Sequence, residues 1–221
     1  MAAHFRAEKS GFAREVQKTL KNKFDPHTAA KTITWIGALE PLVPNLPAHV
    51  LEAVGQLPKN ADTIDSPDYF AYLKSGFVLG YLMACLDEAR GKQLTKDKAW
   101  TVAVNPVFEA TKQRERIGLF LNFARAYGVS SACLFQTDQL YESTDLAQVI
   151  ICLASLGSEA QAKPDYRGPE KFWIQKHREN RRLFTEEQMS DGRKAIGLMN
   201  ANLLDSTKVN IGARRHITGM H

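Results

Sequence analysis

Apolar residues recur at helical spacing along most of the first 160 positions. Phe12, Val16, Leu20 and Phe24 are four apart and predict one helix face. Asp25-Pro26 restarts the pattern, with Asp25 suited to the N-cap and Pro26 to the first turn; Ile33, Trp35 and Ile36 form the apolar side. Pro41, Pro44, Pro47, Pro58 and Pro67 mark a broken stretch with room for a short helix over 48–57. Ser66-Pro67 opens the next helix. Phe70, Leu73, Phe77, Val78, Leu79, Leu82, Met83 and Leu86 cover much of its circumference, the pattern of a buried central helix. Gly76 and Gly80 share a face of it. A glycine inside a helix costs about 1 kcal/mol against alanine, so two of them point to close packing by a neighbour.

Asn105-Pro106 predicts another helix, with Ile117, Phe120, Leu121, Ala124 and Tyr127 on one face and Gly128 at its end. A single turn fits 137–141. Ser143 or Thr144 can cap the last strong helix, in which Leu146, Val149, Ile150, Leu153 and Leu156 follow the i, i+3, i+4, i+7 pattern and Gly157 is the expected stop. No alternating strand pattern of useful length and no internal repeat occurs, so the fold class is all-α. After Gly157 the character changes. Lys163-Pro164-Asp165-Tyr166-Arg167-Gly168-Pro169 reads as a loop, 172–182 as one amphipathic helix with a basic wet side, and beyond Gly192 the apolar residues are too few for a second core.

Charge separates the same two regions. Residues 1–162 hold 17 Lys+Arg against 17 Asp+Glu, whereas 163–221 hold 12 against 7, so the whole net charge of +5 lies in the last quarter of the chain. A basic, glycine-punctuated end without a core is suited to touching something else. The 221 residues fit one domain of ordinary size plus a tail. No apolar run reaches the roughly 18 residues of a membrane span, and the N-terminus lacks the apolar stretch of a signal peptide. No membrane partner is therefore expected. Cys85, Cys133 and Cys152 have no CxxC spacing and read as free thiols in a reduced, intracellular compartment.

The residues argue against an enzyme. His4, His27, His49, His177, His216 and His221 are scattered without ligand spacing, so no metal is expected, and no phosphate-binding loop or EF-hand loop appears. No cofactor is implied. Cys133 beside Ser131 lacks any orienting constellation. Nucleic acid is the weaker partner class. Arg181, Arg182, Arg193 and Lys194 lie near Tyr166, Phe172, Trp173 and Phe184, but no nucleic-acid motif accompanies them.

Several pieces, in order, resemble the calponin–transgelin family. They are Trp35-Ile36, Tyr72 through Leu79, Phe120-Leu121, Tyr127-Gly128-Val129, Leu134-Phe135-Gln136-Thr137 and Leu140-Tyr141-Glu142. In the tail, Tyr166-Arg167-Gly168, Phe184 through Gln188, Ile196-Gly197-Leu198-Met199 and Gly212-Ala213-Arg214-Arg215-His216 continue the likeness. There are departures. Lys74-Ser75-Gly76 stands where the family has Lys-Asp-Gly or Lys-Asn-Gly, Asp138 lies one place early before Gln139-Leu140, the Pro-rich segment over 41–67 is longer, and Leu203 through Lys208 replaces the glycine-rich centre of the C-terminal repeat.

The resemblance implies a calponin-homology domain over 10–160, a linker and amphipathic helix over 161–192, and one degenerate calponin-like repeat over 193–217. It implies a cytoplasmic, cytoskeleton-associated protein that binds or bundles actin filaments, with other cytoskeletal or signalling proteins as further partners. The alternative is a signalling adaptor that docks through its domain alone. The implied filament contact is Ile196, Gly197, Leu198, Met199, Asn200, Gly212, Arg214 and Arg215, with Lys74, Lys18, Lys21 and Lys23 as weaker candidates. Arginines pair bidentately with carboxylates and Met adapts its shape to a surface. A single short repeat that orders on binding should bind weakly unless the domain or oligomerisation adds avidity. Ser206 and Thr207 are candidate phosphorylation sites, where about −1.5 to −2 of added charge would oppose an acidic contact.

Overall fold

The computed structural model describes residues 11–58, 61–175, 185–191 and 193. The chain divides into two compact units, Met1–Lys176 and His177–His221. In the first unit the described regular structure is helical, with no strand.

Helix α1 spans Phe12–Asn22. Of the expected stripe, Val16 is exposed and Leu20 half-buried. Phe24 lies beyond the helix end and packs edge-on against Tyr69, with ring centroids 5.7 Å apart. Helix α2, Pro26–Ala38, starts as its sequence predicts. The Asp25 carboxylate accepts the His27 N–H at 3.1 Å, and Trp35, Ile33 and Ile36 are buried. Helix α3 occupies Ala48–Gly55 in the proline-rich stretch.

The expected long central helix is two helices. Helix α4, Ser66–Lys74, and helix α5, Phe77–Leu86, meet at a 70° bend. The cap of α4 is Asp65, one residue before the predicted Ser66. Gly76 sits at the corner rather than inside a helix. Its φ of 77° is left-handed backbone, where glycine carries no steric penalty, and a Cβ there would stand 2.6 Å from Arg116 Cβ. Gly80 lies inside α5 and admits the Trp100 ring. Both glycines therefore have the packing role expected of them, on different backbone.

Two short elements follow that carry no apolar period and were not anticipated: α6, Glu88–Leu94, and a 3₁₀ turn, Lys98–Trp100. Each begins at an aspartate, with Asp87 accepting the Ala89 N–H at 2.8 Å and Asp97 the Ala99 N–H at 2.9 Å. Helix α7, Pro106–Tyr127, starts at the Asn105 cap and ends at Gly128, as predicted. Helix α8 is the single turn Thr137–Tyr141.

Helix α9 spans Leu146–Gln161, so Gly157 does not stop it. A Cβ at Gly157 would collide with the Trp173 ring, so this glycine makes room for a side chain instead. The cap is Asp145, which accepts the Gln148 N–H at 3.1 Å. Ser143 adopts a φ of 53° in the preceding turn, and neither Ser143 nor Thr144 serves as the cap.

Helix α5 is the centre, buried from Phe77 to Cys85 and packed against α3, α6 and α7. Helices α2 and α9 pack together at one side. The segment after α9 crosses them as an irregular strap. The expected helix over 172–182 does not begin where predicted, since 172–175 are non-helical. The Trp173 backbone is taken by a side chain instead. Its N–H donates to Gln161 Oε1 at 2.9 Å and its carbonyl accepts from Gln161 Nε2 at 3.2 Å. The rest of that predicted helix, 176–182, lies outside the described residues.

In the second unit a helix covers 186–191. Thr185 and Gln188 cap its start reciprocally, each backbone N–H donating to the other's side chain.

Candidate functional site

Ile196, Gly197, Leu198, Met199, Asn200, Gly212, Arg214 and Arg215 all lie outside the described residues, as do Ser206 and Thr207. Of the weaker candidates, Lys18, Lys21 and Lys23 are exposed on and just after α1. Lys74 is half-buried at the end of α4. Its ammonium lies 5.1 Å from the Phe70 ring centre and 5.5 Å from that of Tyr141. The Arg114 guanidinium covers the same Tyr141 ring at 3.8 Å. Residues from α4, α7 and α8 thus bring two cations to one aromatic side chain, where each gains cation–π attraction.

Arg116 is fully buried and heavily hydrogen-bonded. Its Nε donates to the Ala99 carbonyl at 2.7 Å, Nη1 to the Ser75 carbonyl at 2.9 Å and Nη2 to the Thr101 carbonyl at 3.0 Å. Nη1 also pairs with Glu109 Oε1 at 2.7 Å, and the guanidinium lies 4.0 Å from the Phe77 ring centre. Burial pushes the Glu109 carboxyl upward. Hydrogen bonds from Arg116 and the Ala103 N–H, with the charges of Arg116 and Lys112, outweigh it and hold the group below the usual carboxylate range. One side chain of α7 thereby holds the α4–α5 corner, the 3₁₀ turn and the loop over 101–104.

Sequence reading missed Arg116. The available signal was a charged residue beside Ile117 and four before Phe120, on the buried side of an otherwise regular stripe. It also missed Val102, Val104, Val107 and Phe108, which are exposed together around the start of α7.

A cleft of about 690 Å³ opens between the start of α6, the end of α7 and the strap. Its wall carries both charge signs, with Asp87, Glu88 and Asp165 beside Lys163 and Arg167. Cys85 also lines it, but burial pushes that thiol up to about 12, so it has no thiolate character at neutral pH. No group of three His, Cys, Asp or Glu side chains positioned for a metal ion occurs among the described residues. The arrangement offers protein-contact chemistry: braced backbone, placed cations and exposed apolar side chains.

Residues 55–162, which contain α4 to α9, match the calponin homology (CH) domain. The likeness to whole proteins is longer. Myophilin of Echinococcus granulosus is 31% identical over 210 residues, covering 94% of this chain and 95% of myophilin. A match of that identity across both full lengths, around a CH domain of the expected helical fold, places this chain in the calponin family.

Proposed function

We propose that the protein is a non-catalytic, cytoskeleton-associated actin-binding protein that binds or bundles filaments with help from its basic tail. The observation that carries this reading is the extent of the family likeness. It runs past the CH domain through the region that holds all of the net positive charge. A region that holds all of the net positive charge is suited to an acidic partner surface.

In this reading the organisation is a CH domain over 10–160, a connecting segment over 161–192 and a calponin-like element over 193–217. Ile196, Leu198 and Met199 are the apolar anchors, Gly197 and Gly212 allow the backbone to lie close to the filament, and Asn200 adds a polar contact. Arg214 and Arg215 pair with carboxylates, which a lysine would do less well because it lacks the planar fork.

The test is co-sedimentation with actin filaments of the full chain, a truncation after Gly192, and Arg214→Ala/Arg215→Ala. The full chain is expected to pellet, and both altered forms to pellet less. Raising salt from 0.1 M toward 1 M should weaken the full chain, as the Debye length falls from about 10 Å to about 3 Å. Equal pelleting of all three forms would remove the tail from the mechanism, and no pelleting of the full chain would remove actin.

A further inference from the structure

Six tyrosines occur in the chain, and a phosphate would meet different surroundings at each. Tyr69 and Tyr81 are buried, with hydroxyls bonded to the Thr32 hydroxyl and the Leu39 carbonyl. The Tyr166 hydroxyl already accepts the Trp35 indole N–H at 2.8 Å. Lys163 covers the Tyr127 ring, but burial and then negative neighbours that include Asp87, Asp165 and Glu159 push that hydroxyl up to about 12. Added negative charge is therefore opposed there. Tyr72 has no cation over its ring among the described residues.

Tyr141 differs from all of these. It is half-buried at the end of α8, with the Arg114 guanidinium of α7 at 3.8 Å from its ring centre and the Lys74 ammonium of α4 at 5.5 Å. Neither cation makes an ion pair or a side-chain hydrogen bond among the described residues. The Tyr141 hydroxyl is not among the covered polar atoms that lack a partner, so it reaches solvent. The nearest acids in sequence are Asp138, one turn back on α8, and Glu142, the next residue. Three elements thus bring two cations to one hydroxyl-bearing ring.

We propose that Tyr141 is a phosphorylation site, whose phosphate is taken by Arg114 and Lys74 and ties α8 to α7 and α4. A tyrosine phosphate adds about −1.5 to −2 charge and three strong acceptor oxygens. The arginine fork takes two of them and the lysine acts as a point charge on the third. Each cation exchanges a cation–π contact for a charge-assisted hydrogen bond. Asp138 and Glu142 oppose the phosphate, so the hold depends on both cations. The donor is ATP, used by a protein tyrosine kinase. The γ-phosphorus bonds to Tyr141 Oη as its bond to the β,γ-bridging oxygen breaks, ADP leaves, and the hydroxyl proton passes to the kinase's base. Leu140 beside it is buried, so the kinase reaches the ring when the five-residue α8 opens locally. None of this requires actin binding.

The test has two arms, both on the full-length chain. In the first, a broad-specificity tyrosine kinase and ATP act on wild type and on Tyr141→Phe, which keeps the ring and loses the acceptor. Mass spectrometry should find phosphate on Tyr141 ahead of the other tyrosines, and Tyr141→Phe should take up several-fold less. Equal uptake by the two chains would overturn the site, as would labelling of Tyr141 only in urea-unfolded chain. In the second arm, phosphotyrosine is installed at position 141 by genetic incorporation, in wild type and in Arg114→Ala/Lys74→Ala. The phosphate should raise the urea midpoint in wild type and lower it in the variant. Comparison with the two unphosphorylated chains closes a cycle that removes the effect of the substitutions themselves. Phosphorus NMR should show the wild-type phosphate losing its second proton about one pH unit lower than the variant's, as a nearby cation favours the dianion. The same midpoint change in both backgrounds, or the same titration, would overturn capture by Arg114 and Lys74.

Discussion

At the scale of the residue, Arg116 and Glu109 show how far one buried arginine with a partly exposed partner can reach. The guanidinium serves three backbone carbonyls and a carboxylate from a fully covered position. Removing the guanidinium strips three backbone carbonyls of their donor and leaves Glu109 without its cation, which is more damaging than never having had the pair. Arg116→Met should lower stability by about 3 kcal/mol or more in urea denaturation, and Arg116→Lys should fail to restore it because an ammonium cannot span the same acceptors. A change under about 1 kcal/mol would mean that the bonds add little net stability. Acid should act through the same pair. The Glu109 carboxyl is held below its ordinary value of 4.5 in the fold, so its contribution is present above that value and lost as pH falls through the lowered one. The stability gap between wild type and Glu109→Gln is therefore expected to close as pH is taken below about 4, with no closing on the alkaline side.

At the scale of the element, the strap after α9 is held by aromatic side chains. Trp173 is buried and meets the Trp35 ring edge-on with centroids 5.6 Å apart, and the Trp35 Nε1 donates to the Tyr166 hydroxyl at 2.8 Å. Lys31 of α2 lies 5.0 Å from the Trp173 ring centre and 5.3 Å from that of Phe172. Among the described residues the Trp173 Nε1 has no hydrogen-bond partner, and the ring is held by packing and by the two Gln161 bonds to its backbone. Gly157 is what makes that packing fit. Gly157→Ala favours the α9 helix locally but should displace the ring, with a net loss of about 1–3 kcal/mol from overpacking. Tryptophan emission should shift to the red, and protease should cut the strap sooner. Unchanged emission would show that Trp173 does not depend on the glycine.

At the scale of the molecule, the three cysteines report on the whole domain. Burial pushes the Cys85 and Cys152 thiols up to about 12, while Cys133 is half-buried. Cys85 belongs to α5 and Cys152 to α9, which lie in one core. A disulfide reagent at mildly alkaline pH should label Cys133 first. Cys85 and Cys152 should react only as fast as the domain opens, in step with urea unfolding. Early labelling of all three would show that the core opens locally rather than as a unit. Most of the longer helical segments and the Asp25, Asn105 and Gly128 signals were legible because each rests on neighbours within a few positions. The Ser75-Gly76 corner was not, since a left-handed glycine between two apolar helices has the same apolar period as one straight helix.

The sequence by itself determined the all-α class, the central apolar segment, the family likeness and the confinement of net charge to the last quarter. Those properties depend on residue type and spacing, which the chain carries whatever its fold. Only the tertiary structure decided what Gly157 and Gly76 are for, where the strap rests and which side of the 101–104 loop faces water. Most of these depend on a partner far along the chain: Trp173 for Gly157, Arg116 for Gly76 and for the loop, and Trp35 for Tyr166, while Glu109 reaches the loop from six positions on. The exposed valines follow from the same cause. Their neighbours' bonds to α7 turn them outward, and no local pattern records those bonds.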